Sequence, residues 1–446
     1  MKSLTKILPF FLLFILHGVQ ARDLLAIYDL ALQNDPQLRA AEEQLNSARQ
    51  TKNIAKAQLR PTIGAGATYD YVDRDIKHTQ SLQLSDDSYH EETLGLNLTM
   101  PLYRRDLLVQ LEQADSTIAQ SEAQYEAARI DLMVRSTSAY FQVLAAEDDL
   151  RVAKAETEAT GRQLEQAQQR FDVGLIAITD VHEAKAAYDG ARASEIASAN
   201  NVDNAWEALF EIIGPGAKTQ LAILGDGLEL VPPKPNDLQQ WSNTAQQQNF
   251  QILANQSSLE TVRKDIEVAR SGHYPTLDLV GSYAMNRSSN DFATEADTRS
   301  IGLELSVPLY TGGLVNARTD QAWANFRAAQ QQLDQTRRSV NRQVRDAFRG
   351  VLSSISRVSA LKAATVSAKS ALESTQAGYE VGTRTIVDVL NVQRNLFSSQ
   401  RDYLGSRYDY IINGLSLKSA AGNLTEEDLK QVNGWLEPEG KGQPGS

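Results

Sequence analysis

A chain of 446 residues with 42% hydrophobic content can bury one large core or two or three ordinary ones, and its net charge of -12 is the wrong sign for a general nucleic-acid binder. It contains no cysteine, which excludes a disulfide framework and a lipid-bearing thiol, so its stability must come from packing.

Lys2 and Lys6, the apolar run over 7–16 and the small residues Val19 and Ala21 predict a signal peptide over 1–21, cleaved after Ala21. The run is too short to cross about 30 Å of hydrocarbon, and no later run approaches the ~18 apolar residues of a membrane helix. The chain is expected to leave the cytoplasm, and any membrane crossing must be made by strands. From Arg22 to Leu59 the periodicity is helical until Pro61 stops it. The pattern then alternates: Ile63, Ala65, Ala67, Tyr69 and Tyr71 share one face, and after a polar stretch over 73–92 so do Leu94, Leu96, Leu98, Met100 and Leu102. Apolar outward positions alternating with small or polar ones, with Tyr near the ends, fit a hairpin of an outer-membrane barrel over about 61–103.

A run of about 70 residues follows, broken only by Gly161, with apolar or small residues at near-heptad spacing. At 1.5 Å per residue it makes roughly 100 Å of coiled-coil-like helix. It ends in a turn over 171–179, and a returning helix runs to Ile213. The connector from Gly214, rich in Gly and Pro, reads as carrying one short helix before the pattern reopens near Leu238.

Everything then recurs. A second hairpin spans about 275–310, a second long helix runs to a turn over 379–387, and a second returning helix ends before Gly422. At an offset of 208, Val173, Gly174, Ile178, Asp180 and Val181 meet Val381, Gly382, Ile386, Asp388 and Val389. Such self-similarity marks an internal duplication. The first repeat is placed at 22–235, the second at 236–435, and a flexible C-terminal tail at 436–446.

No constellation supports catalysis, and no cofactor or metal site is expected. His78 and His90 lie in the polar stretch, while His182 and His273 lack a second ligand at helical spacing. The string GPGAKT at 214–219 sits at a helix end and lacks the strand-loop-helix context of a phosphate loop.

Four strands cannot close a membrane barrel, for the smallest use eight, and free edges in lipid cost several kcal/mol per unpaired group. Several chains must therefore share one barrel, and three would supply twelve strands. The strings RFDVGLIAITDV, AGYEVGTRTIVDVL, YPTLDL and VPLYTGG resemble those of the TolC family, trimeric outer-membrane exit ducts for multidrug efflux and type I secretion. The resemblance covers essentially the whole chain after the leader. It implies an all-α plus membrane β-barrel fold, in which the long helices of a homotrimer form an α-barrel continuous with a shared 12-stranded β-barrel. It also implies a mixed equatorial belt that takes in the connector and tail.

The partners it implies are outer-membrane lipid, a periplasmic adaptor (membrane fusion) protein and an inner-membrane RND, ABC or MFS transporter. The adaptor would meet the turns at Val173, Gly174 and Leu175 and at Val381, Gly382 and Thr383. Asp388 and Asn391, three apart on one helix face, match positions that ring the periplasmic constriction. There the family usually has two Asp, and the Asn here weakens an expectation of multivalent-cation block. Gln163, Thr179 and Asp180, with Tyr379 and Arg384, match residues that link the turns in the closed state. Asp180 has the chemistry to accept a proton from the Tyr379 phenol and to pair with Arg384. A non-conducting periplasmic coiled-coil adaptor or envelope tether is the alternative, and it leaves both lipid-patterned hairpins unexplained.

Overall fold

The protein is described from a computed structural model that covers residues 22–75, 87–289 and 295–437. The signal peptide, His78 and the tail from residue 438 lie outside the described residues.

In chain order the elements are α1 (Leu24–Asn34), α2 (Pro36–Gln58), β1 (Thr62–Arg74), β2 (Asp87–Tyr103), α3 (Arg105–Asp172), α4 (Ile178–Ile213) and β3 (Ile223–Leu224). The second copy continues with α5 (Leu238–Gln248), α6 (Phe250–Ser271), β4 (Thr276–Ser288), β5 (Ala296–Ser306), α7 (Leu314–Glu380), α8 (Ile386–Ala421), α9 (Glu426–Asn433) and β6 (Leu436–Glu437). The duplication is visible in the lengths. Helices α3 and α7 have 68 and 67 residues, while α4 and α8 have 36 each.

Three expectations need correction. The helical stretch of 22–59 is two helices, because Pro36 opens α2 and Asp35 between them caps both: its N–H bonds the Ala31 carbonyl and its carboxylate accepts the Leu38 N–H at 2.8 Å. The first hairpin is longer than its apolar pattern, because polar Asp73 and Arg74 still pair with Ser88 and Asp87. The connector between Gly214 and α5 has no helix. It contributes β3 instead, which pairs antiparallel with β6, so the structured chain reaches Glu437, two residues into the expected tail.

The chain forms two compact units, and each draws on both copies of the duplication. One holds α1, α4, α8, α9, the β3–β6 pair and those parts of α3 and α7 that lie nearest the turns. Its core is aromatic and aliphatic: Tyr140, Phe141, Leu132, Leu24, Ile27, Leu209, Leu417 and Leu429 are fully buried. The Tyr140 hydroxyl donates to the Ala222 carbonyl at 2.6 Å, tying the connector to α3, and Phe141 stacks on Tyr408 with ring centroids 5.4 Å apart. Buried Asp35 meets Arg135 through two bonds of 2.9 and 3.1 Å, so the carboxylate that breaks the first helix is neutralised by α3.

The other unit contains the four-stranded antiparallel sheet, in the order β1-β2-β4-β5. Cross-strand register assigns its two faces. Ile63, Leu98 and Ile301 lie in one row with Gly281, and Leu96 and Tyr283 lie in the next with Ala65 and Arg299, whose guanidinium lies over the Tyr283 ring. The opposite face carries Gly64, Asn97, Ser282 and Ser300, then Gly66, Gly95, Ala284 and Thr298. The apolar face is left uncovered by the chain: Ile63, Ile301 and Leu303 are 77, 76 and 66% exposed.

Candidate functional site: the paired helical turns

Each turn terminates its long helix by the same backbone device. In the first copy Gly174 has φ of 76°, its N–H bonds the Phe171 carbonyl at 2.8 Å, and the Leu175 N–H bonds the Arg170 carbonyl at 2.9 Å. In the second, Gly382 has φ of 80°, and the Gly382 and Thr383 N–H groups bond the Tyr379 and Gly378 carbonyls at 3.1 and 2.8 Å. This is the left-handed glycine stop with its two crossed hydrogen bonds, where a residue with Cβ is strained by about 1–2 kcal/mol. A Cβ built on either glycine meets nothing within 4 Å, so both backbones face open space.

The tips are apolar and uncovered. Val173, Leu175 and Val381 are 70, 73 and 75% exposed, with Ile178 and Val387 also exposed beside them. Solvent alone gives no reason to place five aliphatic side chains at two helix ends, and such patches mark interaction surfaces.

The returning helices open differently. Thr385 and Asp388 cap α8 reciprocally: Thr385 Oγ1 accepts the Asp388 N–H at 3.2 Å, and Asp388 Oδ2 accepts the Thr385 N–H at 2.9 Å. The Thr385 N–H, aided by its hydroxyl, holds the Asp388 carboxyl below the usual carboxylate range. Asn391 is exposed one turn further on. In the first copy Ala177 takes the cap position and has no side chain to offer, so Asp180, at the position of Asp388, has no such partner. Among the described residues its carboxylate makes no bond to Tyr379 or Arg384 within the chain. Thr179 is exposed.

Tyr379 is held instead by Arg170, at the end of the other long helix. The Arg170 guanidinium lies 4.8 Å from the centroid of its ring, joining the end of α3 to the end of α7. Arg384 folds back over α7, its N–H bonding the Gly378 carbonyl at 3.2 Å, and a Cβ added to Gly378 would fall 2.8 Å from Arg384 Cγ. The capping box was readable from the Thr-x-x-Asp spacing. The Arg170 contact had no local signal, because its partners are 209 positions apart in sequence.

An exposed apolar sheet face, two long helices and two exposed apolar tips on glycine stops are features that fit an outer-membrane channel component with a periplasmic helical extension. The outer membrane efflux protein model matches residues 27–215 and 241–423, one match per copy of the duplication. The chain is 40% identical over 424 residues to outer membrane protein TolC of Vibrio cholerae, covering 94% of this chain and 95% of that protein. It is 28% identical to the alkaline protease secretion protein AprF of Pseudomonas aeruginosa, covering 95 and 89%. The crystal structure of the Campylobacter jejuni CmeC outer membrane channel superimposes with a TM-score of 0.79 at 20% identity over 93% of this chain and 90% of that one, a likeness of fold. The chain belongs to the outer membrane efflux protein family. It is an outer-membrane protein of a Gram-negative cell, extending into the periplasm, and provides an exit duct for efflux and type I secretion.

Proposed function

We propose that the duct is a homotrimer, gated at its periplasmic end, whose tips receive a periplasmic adaptor that couples it to an RND, ABC or MFS transporter. The observation that carries this reading is the sheet. Its four strands leave the β1 and β5 edges unpaired within the chain, and one face exposes isoleucine and leucine. In lipid both features demand closure with further copies, and three copies give twelve strands, an even number within the range of membrane barrels.

The tips supply the docking and gating chemistry. Val173, Gly174 and Leu175, with Val381, Gly382 and Thr383, offer the adaptor two open backbones flanked by exposed aliphatic side chains. Asp180 remains available to link with Tyr379 and Arg384 in the closed trimer, while Asp388 and Asn391 line the constriction. A passive duct takes its cargo from the transporter behind it.

Single-channel conductance of the purified protein in planar bilayers, with the native oligomer mass, tests the reading. A trimer that conducts is expected. A trimer without conductance would favour the tether, and a conducting assembly of another size would refute the twelve-stranded barrel.

A further inference from the structure

The two halves of the duplicated shaft carry opposite charge. Helix α3 has 13 acidic and 7 basic residues and α4 has 7 and 2, whereas α7 has 5 and 10 and α8 has 3 and 4. The first-copy pair is therefore at -11 and the second-copy pair at +6. On α3 part of the excess is met inside the chain, where Asp115, Glu112 and Glu156 pair with Lys52, Lys264 and Arg401, but α4 is almost bare. Of the seven acids on α4, only Asp203 is ion-paired among the described residues, to Lys218.

Resting on the trimer reading, we propose that neighbouring chains are joined along a charge-complementary seam in which Glu207 and Glu211 of α4 meet Arg342 and Arg349 of α7 of a second copy. The register comes from the chain itself. Within one chain α3 and α8 are linked by Glu156 and Arg401, 3.0 Å apart and only 12 and 29% exposed. In a ring built from repeated helix pairs, the contact that α8 makes with α3 is made again by α4 of the next chain with α7. Shifting that ion pair by the repeat of 208 places Ala364 of α7 opposite Ala193 of α4.

From Ala193, Glu207 and Glu211 lie about four and five turns onward on the same helix face. From Ala364, Arg349 and Arg342 lie about four and six turns back, also on one face. Because the helices run antiparallel, both displacements point the same way along the shaft. Glu207 comes level with Arg349, and Glu211 falls between Arg349 and Arg342.

All four side chains are exposed in the single chain. Among the described residues Glu207, Glu211 and Arg342 make no side-chain bond, and Arg349 bonds only to Asp346 and the Arg345 carbonyl of its own helix. The seam would pair three groups that the chain leaves without a side-chain bond and a fourth, Arg349, that is held only by its own helix, and partial burial between helices shields such pairs from salt better than a surface pair.

The absence of native cysteine makes the test direct. Full-length chain carrying Glu207→Cys and Arg349→Cys together should oxidise in outer membranes to a chain-to-chain ladder ending at three, and either single cysteine should not. Reversing the acids with Glu207→Lys and Glu211→Lys, or the bases with Arg342→Glu and Arg349→Glu, should raise the dissociated fraction in mild detergent at least tenfold. Combining the two reversals should restore the trimer, which no folding defect would do. A native trimer that fails to cross-link, or whose reversals are silent or not mutually rescued, overturns the seam alone. A native mass other than three chains overturns the trimer reading and the seam with it.

Discussion

The first and second turns share one backbone and differ in side chains. Gly174 and Gly382 have nearly the same φ, 76 and 80°, and the same pair of crossed hydrogen bonds. Beyond them Thr385 engages Asp388 in a reciprocal cap, whereas Ala177 leaves Asp180 without one. Duplication thus produced two equivalent carboxylates and then separated their surroundings. One is bonded into its own helix end, and the other is free to bond elsewhere. A residue's position in the repeat sets where it lies, and its capping neighbour sets what it can do.

The largest expected effect breaks the likeness between the tips at their shared glycine. Gly382→Ala adds only the strain of a Cβ at positive φ, about 1–2 kcal/mol, in a place where the Cβ meets nothing. It should leave efflux largely intact. Gly382→Leu adds bulk outside the backbone and should abolish drug efflux while the native mass stays that of the trimer. Equal loss in both variants would assign the glycine to helix termination, and loss of the trimer would do so as well.

A smaller effect is expected from the links between the turns. Removing the Tyr379 hydroxyl and the Arg384 guanidinium together, with Tyr379→Phe and Arg384→Ser, should raise single-channel conductance severalfold without changing trimer stability. Three repeats of a link contributing about 1 kcal/mol shift a closed-to-open ratio by more than a hundredfold, so weak links suffice. A double variant conducting like the parent would put the gate elsewhere. Gly378→Ala should reproduce part of this gain, because its Cβ displaces the Arg384 side chain from 2.8 Å. Conductance unchanged by Gly378→Ala would show that Arg384 acts without that placement.

The comparison of the tips also separates what the sequence made legible from what it did not. Gly174 and Gly382 could be read because a helix stop needs one residue type at one position, and it occurs twice. The apolar spans of the strands are readable too, but nothing local marks Asp73, Arg74 and Ser88 as strand, because polarity reports where apolar surroundings end, not where strand pairing ends. The β3–β6 pair joins Ile223 to Glu437, and the Arg170 contact joins opposite copies. Neither has a local pattern, since both depend on segments brought together only by the fold. Pro36 directly after Asp35 did carry a local signal for a helix start, which an otherwise continuous helical periodicity masked.

The smallest effect sharpens the comparison most, because it divides the two roles that Asp388 can play. Asp388→Asn removes the charge but leaves a side-chain oxygen able to accept the Thr385 N–H, so the cap is largely retained. Thr385→Ala removes the cap hydroxyl and leaves the charge. If three carboxylates ring the constriction, cation preference measured by reversal potential under a salt gradient should fall in Asp388→Asn and persist in Thr385→Ala. Amide exchange in the first turn of α8 should respond the other way, accelerating mainly in Thr385→Ala. The sign of the pH dependence follows from the lowered Asp388 pKa. A carboxyl bound more tightly as its anion in the folded state contributes its stabilisation above the unfolded pKa and loses it as pH falls through the folded one. Cation preference in the parent should therefore persist to lower pH than it would without the cap. In Thr385→Ala, with the hydroxyl gone and the first turn loosened, the midpoint of that loss should move upward toward the ordinary value. Selectivity that ignores Asp388→Asn would leave the carboxylate with the cap as its sole task, and would make its near-twin Asp180, which has no cap to serve, the acidic group to test next at the entrance.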